Sequence, residues 1–266
     1  MTDTITKAMN LARSFNQPPP SAASGHVQPE RICPTARAVQ LSRQLMEQNR
    51  LIGGIADQRV IDSYLLLRTR VLNRVHQSHI RTLGITSPST RDGKSLTAAN
   101  LAISIALGES HPILLVDADV RRPSLGSQFG IKVDAGLGDY LAGDAGLEEL
   151  LLRTPIHGLY LLPGRTESTL RPEALSADKV RQLAARLKQQ VPGGIVVFDL
   201  PPALIGGDVA AFAPNVDAML LVVANRRTSE DAMARTVPLL EGANIIGTVL
   251  NYADEAGHTD DYYLPG

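Results

Sequence analysis

The sequence predicts an α/β protein with a mostly parallel sheet and helices on both of its faces. Short segments that are apolar throughout, at residues 80–85, 113–116, 159–162, 195–200, 219–223 and 245–250, suit strands buried on both sides. Helical stretches separate several of them, notably 177–190 and 230–240, as a parallel sheet requires. The first strand also leads through a turn-rich stretch into Gly93-Lys94-Ser95 and then a helix rich in Leu101, Ile103, Ile105 and alanine. Sheets of this kind hold ligands at the carboxyl ends of their strands.

Taken in order, residues 1–36 read as a flexible leader stiffened by Gln17-Pro18-Pro19-Pro20. Up to Val60 the chain has seven Lys or Arg against four Asp or Glu, a mild excess. That suits a solvated leader better than a segment that binds acidic lipid or a partner. Residues 36–49 have the character of a helix. Over 60–75, Ile61, Tyr64, Leu65, Leu67, Val71, Leu72 and Val75 recur at helical spacing, with Arg59, Arg68, Arg70 and Arg74 forming a basic face. The predicted domain spans 37–251, with its core at 78–251. Residues 252–266 form an acidic tail: four acids (Asp254, Glu255, Asp260, Asp261), no Lys or Arg, and the pair Tyr262-Tyr263.

Composition narrows the function. At 266 residues and 44% apolar the chain can bury a substantial core. A net charge of −1 gives no electrostatic case for nucleic acid. The single cysteine, Cys33, rules out an internal disulfide and any cluster held by several thiolates of this chain. No run approaches the ~18 apolar residues of a membrane helix, and the N-terminus lacks the apolar core of a secretion signal. A soluble cytoplasmic protein is the expectation.

Strand, polar loop, Gly-Lys-Ser and helix together form the context of a phosphate-binding P-loop. Backbone N–H groups of the loop and first turn converge on one point with the helix dipole behind them. Gly93 lets backbone approach a phosphate, Lys94 can reach terminal phosphates, and Ser95 can place a hydroxyl on Mg²⁺. The loop departs from the usual pattern, because Pro88 stands where a glycine is usual and has no N–H to donate. Two later strand ends carry acids. Asp117 and Asp119, separated by Ala118, project to one side in extended backbone, and Asp199 follows four apolar residues. A phosphate-bound Mg²⁺ takes one or two carboxylates, and phosphoryl transfer needs a group to orient the nucleophile. Removing Lys94 is therefore expected to weaken nucleotide binding more than stability.

TSPSTRDGKS, LLVDADVRRPSL, GLGDYLAG, VVFDLPP, LLVVANRRTSEDA and GANIIGTVLN together resemble the bacterial tyrosine kinases of capsule and exopolysaccharide export. Those enzymes are relatives of the MinD/ParA-type P-loop ATPases, and the resemblance covers about 60–251. It implies ATP binding by Ser89, Thr90, Arg91, Asp92, Gly93, Lys94, Ser95 and Leu96. It also implies catalysis by Lys94, Asp117 and Asp119, with Asp117 as the base that takes the tyrosine proton. Mg²⁺ would be held by Ser95, Asp119 and Asp199, the last partly through water. Tyr262 and Tyr263 would be the autophosphorylation sites. The implied partners are further copies of the chain and a membrane-embedded polysaccharide co-polymerase or export protein on a separate chain, which would hold the kinase at the inner face of the plasma membrane.

Partition-type ATPases place a second lysine five residues before the P-loop lysine; Ser89 at that position favours the kinase branch. Thr90-Arg91 stands where the kinases often have Pro-Gly. Asp62, Leu65 and Arg68 replace a Glu-x-x-Arg-x-x-Arg pattern, and the tail has two adjacent tyrosines rather than a long cluster. Three functions remain open from sequence: a tyrosine autokinase, an ATPase switch, and a nucleotide-binding scaffold.

Overall fold

The computed structural model describes residues 33, 35–55, 57–108, 111–165 and 175–253. Eight strands are described: β1 (Arg37–Ala38), β2 (Thr82–Thr86), β3 (Ile113–Asp117), β4 (Leu152–Arg153), β5 (Leu159–Leu162), β6 (Ile195–Asp199), β7 (Ala218–Ala224) and β8 (Ile245–Asn251). They form one sheet in the order β1-β4-β5-β3-β6-β2-β7-β8, parallel except where β4 meets β5. The helices are α1 (Arg43–Gln48), α2 (Gln58–Ser78), α3 (Lys94–Gly108), α4 (Leu125–Gln128), α5 (Leu137–Ala142), α6 (Ala177–Gln190), α7 (Asp208–Phe212) and α8 (Glu230–Leu239). Among the described residues no helix is long and apolar enough to cross a membrane.

Every residue of β2, β3, β5 and β6 is buried, which is why these strands are apolar throughout. Alternate residues feed opposite layers of core. Leu114, Val116, Val196 and Phe198 belong to one, while Ile113, Leu115, Ile195 and Val197 belong to the other. The second layer is closed by α3, buried along most of its length, and by Val71, Leu72 and Val75 of α2. Asp57 caps α2 by accepting from the Arg59 N–H, and His79 ends it in the left-handed region at φ 52°.

Residues 36–49 do not form one helix. Arg37 N–H donates to Leu151 and Val39 N–H to Arg153, so this backbone adds β1 to the edge of the sheet beside β4. The helix starts only after Ser42, whose hydroxyl accepts from the Leu45 N–H. Cys33 is buried in the core, its thiol pushed up to about 12 by that burial.

The register positions the site. Asp117, the last residue of β3, lies opposite Asp199, the last residue of β6; Asp199 in turn lies opposite Ile85 of β2. The chain turns into the P-loop one residue after Ile85, so three neighbouring strands end at one level below the start of α3.

Candidate functional site

The loop between β2 and α3 is braced from inside. The Asp92 carboxylate accepts from the Ser89 N–H at 2.8 Å, and the Ser87 hydroxyl donates to the Ser89 carbonyl at 2.7 Å. Arg91 and Gly93 both take positive φ, 64° and 94°, which turns the loop back on itself. A Cβ on Gly93 would run into the side-chain amide of Asn251. That amide donates to the Asp92 carbonyl at 2.9 Å, and the Tyr252 hydroxyl donates to the Arg91 carbonyl at 3.2 Å. The end of β8 thereby supports the loop from outside.

Lys94 opens α3 and is almost wholly buried, with its ammonium 3.1 Å from Asp119 Oδ2, 3.3 Å from Asp199 Oδ1 and 3.1 Å from Ser95 Oγ. Burial alone pulls its pKa down, but the charges of Asp199 and Asp119 outweigh that and raise it. Asp199 is fully buried and its pKa is raised, chiefly by desolvation and against the pull of Lys94. Asp117, equally buried, is pushed up to about 7 by desolvation and then by the charge of Asp199. Its Oδ2 accepts from the Ser124 and Leu125 N–H groups at 2.8 and 2.9 Å. Asp119 Oδ1 accepts from the Arg122 N–H at 3.1 Å.

A cleft of about 720 Å³ opens over this cluster. Of the residues expected to bind ATP, Thr90, Arg91, Gly93, Lys94, Ser95 and Leu96 line it, whereas Ser89 and Asp92 form the internal brace of the loop. Asp119 also lines the cleft. Asp117 and Asp199 sit beneath it, and Lys94 bridges Asp119 to Asp199. Tyr262 and Tyr263 lie outside the described residues.

Two carboxylate oxygens test the fit of a cation: Asp117 Oδ1 and Asp199 Oδ2 are buried and have no hydrogen-bond partner. Buried lone pairs left open beside a serine hydroxyl suit Mg²⁺, which takes one or two carboxylates and fills the remaining positions with phosphate oxygens and water. Among the described residues no group of three or more His, Cys, Asp or Glu is placed to hold a metal ion by itself.

Sequence reasoning missed Gly164, two residues past the end of β5. A Cβ there would lie 2.9 Å from Asp117 Cγ and 2.7 Å from Pro123 Cβ, so the close packing around Asp117 depends on glycine. It also missed Asn251 as a support of the loop. Asn251 ends an apolar strand at the same side of the sheet as Asp117 and Asp199, and the rule that singled out those acids would have found it.

Loop, buried lysine and strand-end carboxylates on a parallel sheet define a P-loop NTPase fold of the MinD/ParA type. No protein-family model matches the chain. It is 31% identical over 222 residues to EpsB of Ralstonia nicotianae, named a tyrosine-protein kinase, covering 81% of this chain and 29% of that protein. It is 26% identical over 204 residues to the tyrosine-protein kinase YwqD of Bacillus subtilis, covering 76% of this chain and 85% of YwqD. The kinase domain of the Escherichia coli tyrosine kinase ETK superposes with a TM-score of 0.67 at 27% identity, over 77% of this chain and 80% of that one. The cell division ATPase MinD of Pyrococcus furiosus gives 0.54 at 27% identity, over 65% and 74%. In sequence and in fold the chain is similar to the bacterial tyrosine kinases and, in fold, to the MinD-type ATPases. It spans less than a third of the length of the Ralstonia relatives it matches.

Proposed function

We propose that this protein is an ATP- and Mg²⁺-dependent protein-tyrosine kinase that phosphorylates Tyr262 and Tyr263 of a neighbouring copy. The observation that carries this reading is the contact of one buried ammonium, Lys94, with two strand-end carboxylates under a cleft lined by the P-loop. The backbone N–H groups of 90–96 and the Lys94 ammonium bind and orient the triphosphate. Ser95, Asp119 and Asp199 would hold Mg²⁺, which would neutralise charge on the phosphate oxygens. Asp117, with a pKa near neutrality, accepts the tyrosine proton as the phenolic oxygen bonds to the γ-phosphorus and ADP departs. An activator on a separate chain belongs to this reading. By family resemblance, that activator is a membrane-embedded polysaccharide co-polymerase or export protein. It would keep the kinase at the inner face of the plasma membrane to regulate capsular or exopolysaccharide assembly.

The test is incubation of the full chain with ATP, Mg²⁺ and the cytoplasmic segment of a candidate partner, followed by mapping of phosphotyrosine by mass spectrometry. The expected result is phosphate on Tyr262 or Tyr263 that disappears in Lys94→Met. Phosphotyrosine at neither position, or equal labelling of both proteins, sinks the autokinase reading. The likeness to MinD favours a second reading, an ATPase switch. Phosphate release from ATP without phosphotyrosine would select it.

A further inference from the structure

The cleft holds more positive charge than its acids balance. Lys94 is already neutralised by Asp119 and Asp199. Three more cationic residues line the cleft, Arg91, Arg122 and Arg227, all exposed; among the described residues their guanidinium groups form no ion pair. The contrast with the adjacent Arg121 is direct, since its guanidinium is bound to Asp208 at 2.7 Å. Arg227 is held in place by the Tyr252 ring, 5.3 Å away. Arg122 follows β3 and Arg227 follows β7, so they flank the P-loop strand from either side of the sheet.

We infer that Arg122 and Arg227, with Arg91 between them, form a subsite for acidic tyrosine peptides. This rests on the kinase reading and names its substrate class. The triphosphate belongs to the loop backbone and Lys94 at the floor of the cleft, which leaves the rim guanidiniums to receive carboxylates of a peptide laid across the opening. The chain carries such a sequence: Asp260-Asp261 immediately precede Tyr262-Tyr263 in a tail without Lys or Arg. Opposite charge on rim and peptide raises encounter rate and fixes which tyrosine enters.

The experiment uses the protein with ATP, Mg²⁺, the cytoplasmic segment of the candidate partner and two synthetic peptides, one containing Asp-Asp-Tyr-Tyr and the other Asn-Asn-Tyr-Tyr, with KM and kcat measured separately by phosphotyrosine formation. The acidic peptide should show a KM about tenfold lower at equal kcat, as expected for two or three partly exposed charge pairs, and salt should narrow the gap. Arg122→Glu with Arg227→Glu should abolish that preference and favour a Lys-Lys-Tyr-Tyr peptide, whereas Arg122→Lys with Arg227→Lys should keep the preference for the acidic peptide. If wild type phosphorylates neither peptide, the kinase reading fails. If it phosphorylates both with equal KM, or if the glutamate variant loses both peptides alike, the subsite is refuted while the kinase reading stands.

Discussion

Replacing Lys94 by methionine should destabilise the nucleotide-free protein, and the loss should depend on pH. The ammonium sits 3.1 Å from Asp119 and 3.3 Å from Asp199, with almost no solvent access. Removing one member of a buried ion cluster costs about 3–5 kcal/mol, because a charge is left without a partner. Asp199 can escape that cost by taking a proton. Its folded pKa, already raised above 3.8, rises further once Lys94 is gone. The folded variant then keeps a proton that the unfolded chain releases above 3.8, so its stability falls as pH rises, by up to roughly 1.4 kcal/mol per pH unit. The deficit relative to wild type should approach about 3–5 kcal/mol where Asp199 is ionised in the folded variant, and should be larger near pH 7.5 than near pH 5. Urea unfolding followed by circular dichroism in Mg²⁺-free buffer at both pH values measures it, with an unchanged m-value as the control. From sequence, removing Lys94 is expected to weaken nucleotide binding more than stability; its two buried carboxylate contacts add a stability loss beside that. A deficit below about 1 kcal/mol at both pH values, or one that does not vary with pH, would refute the buried cluster.

Gly93→Ala places a Cβ against the Asn251 amide at φ 94° and should weaken ATP binding at least about tenfold by calorimetry, because the loop must shift. Gly164→Ala crowds Asp117 and Pro123; it should cost about 1–3 kcal/mol in denaturant unfolding and lower kcat more than it raises KM for ATP. Asp117→Asn should abolish the rise of kcat with pH around 7 that deprotonation of this acid produces. The same substitution should flatten stability against pH. Asp117, with a folded pKa of about 7 against 3.8 unfolded, favours the folded state below 3.8 and loses that contribution as pH climbs through about 7.

The central sheet was readable because strands buried on both faces leave no polar position to disturb the pattern, as in Ile113 to Val116 or Ile195 to Phe198. Helix α6 was read at its observed limits, since Val180, Leu183, Ala184 and Leu187 repeat on one face between polar neighbours. The two-residue strands β1 and β4 were not readable. β1 is placed by hydrogen bonds to β4, more than a hundred residues away, and neither strand has a periodicity of its own. The meeting of Lys94 with Asp119 and Asp199 followed from the strand-end rule. The pressure of Gly164 on Asp117 did not, because a glycine's close approach appears only once the strands are side by side.

Asp117 and Asp199 occupy one rung of the β3–β6 ladder. Their separation is therefore fixed by the repeat of a parallel sheet rather than by any loop, and a one-residue slip of either strand would turn its acid into the opposite layer. The surrounding loops can lengthen, shorten or change charge without moving the two acids apart. New substrate preferences can thus arise at the mouth of the cleft while the chemistry at its base keeps its spacing.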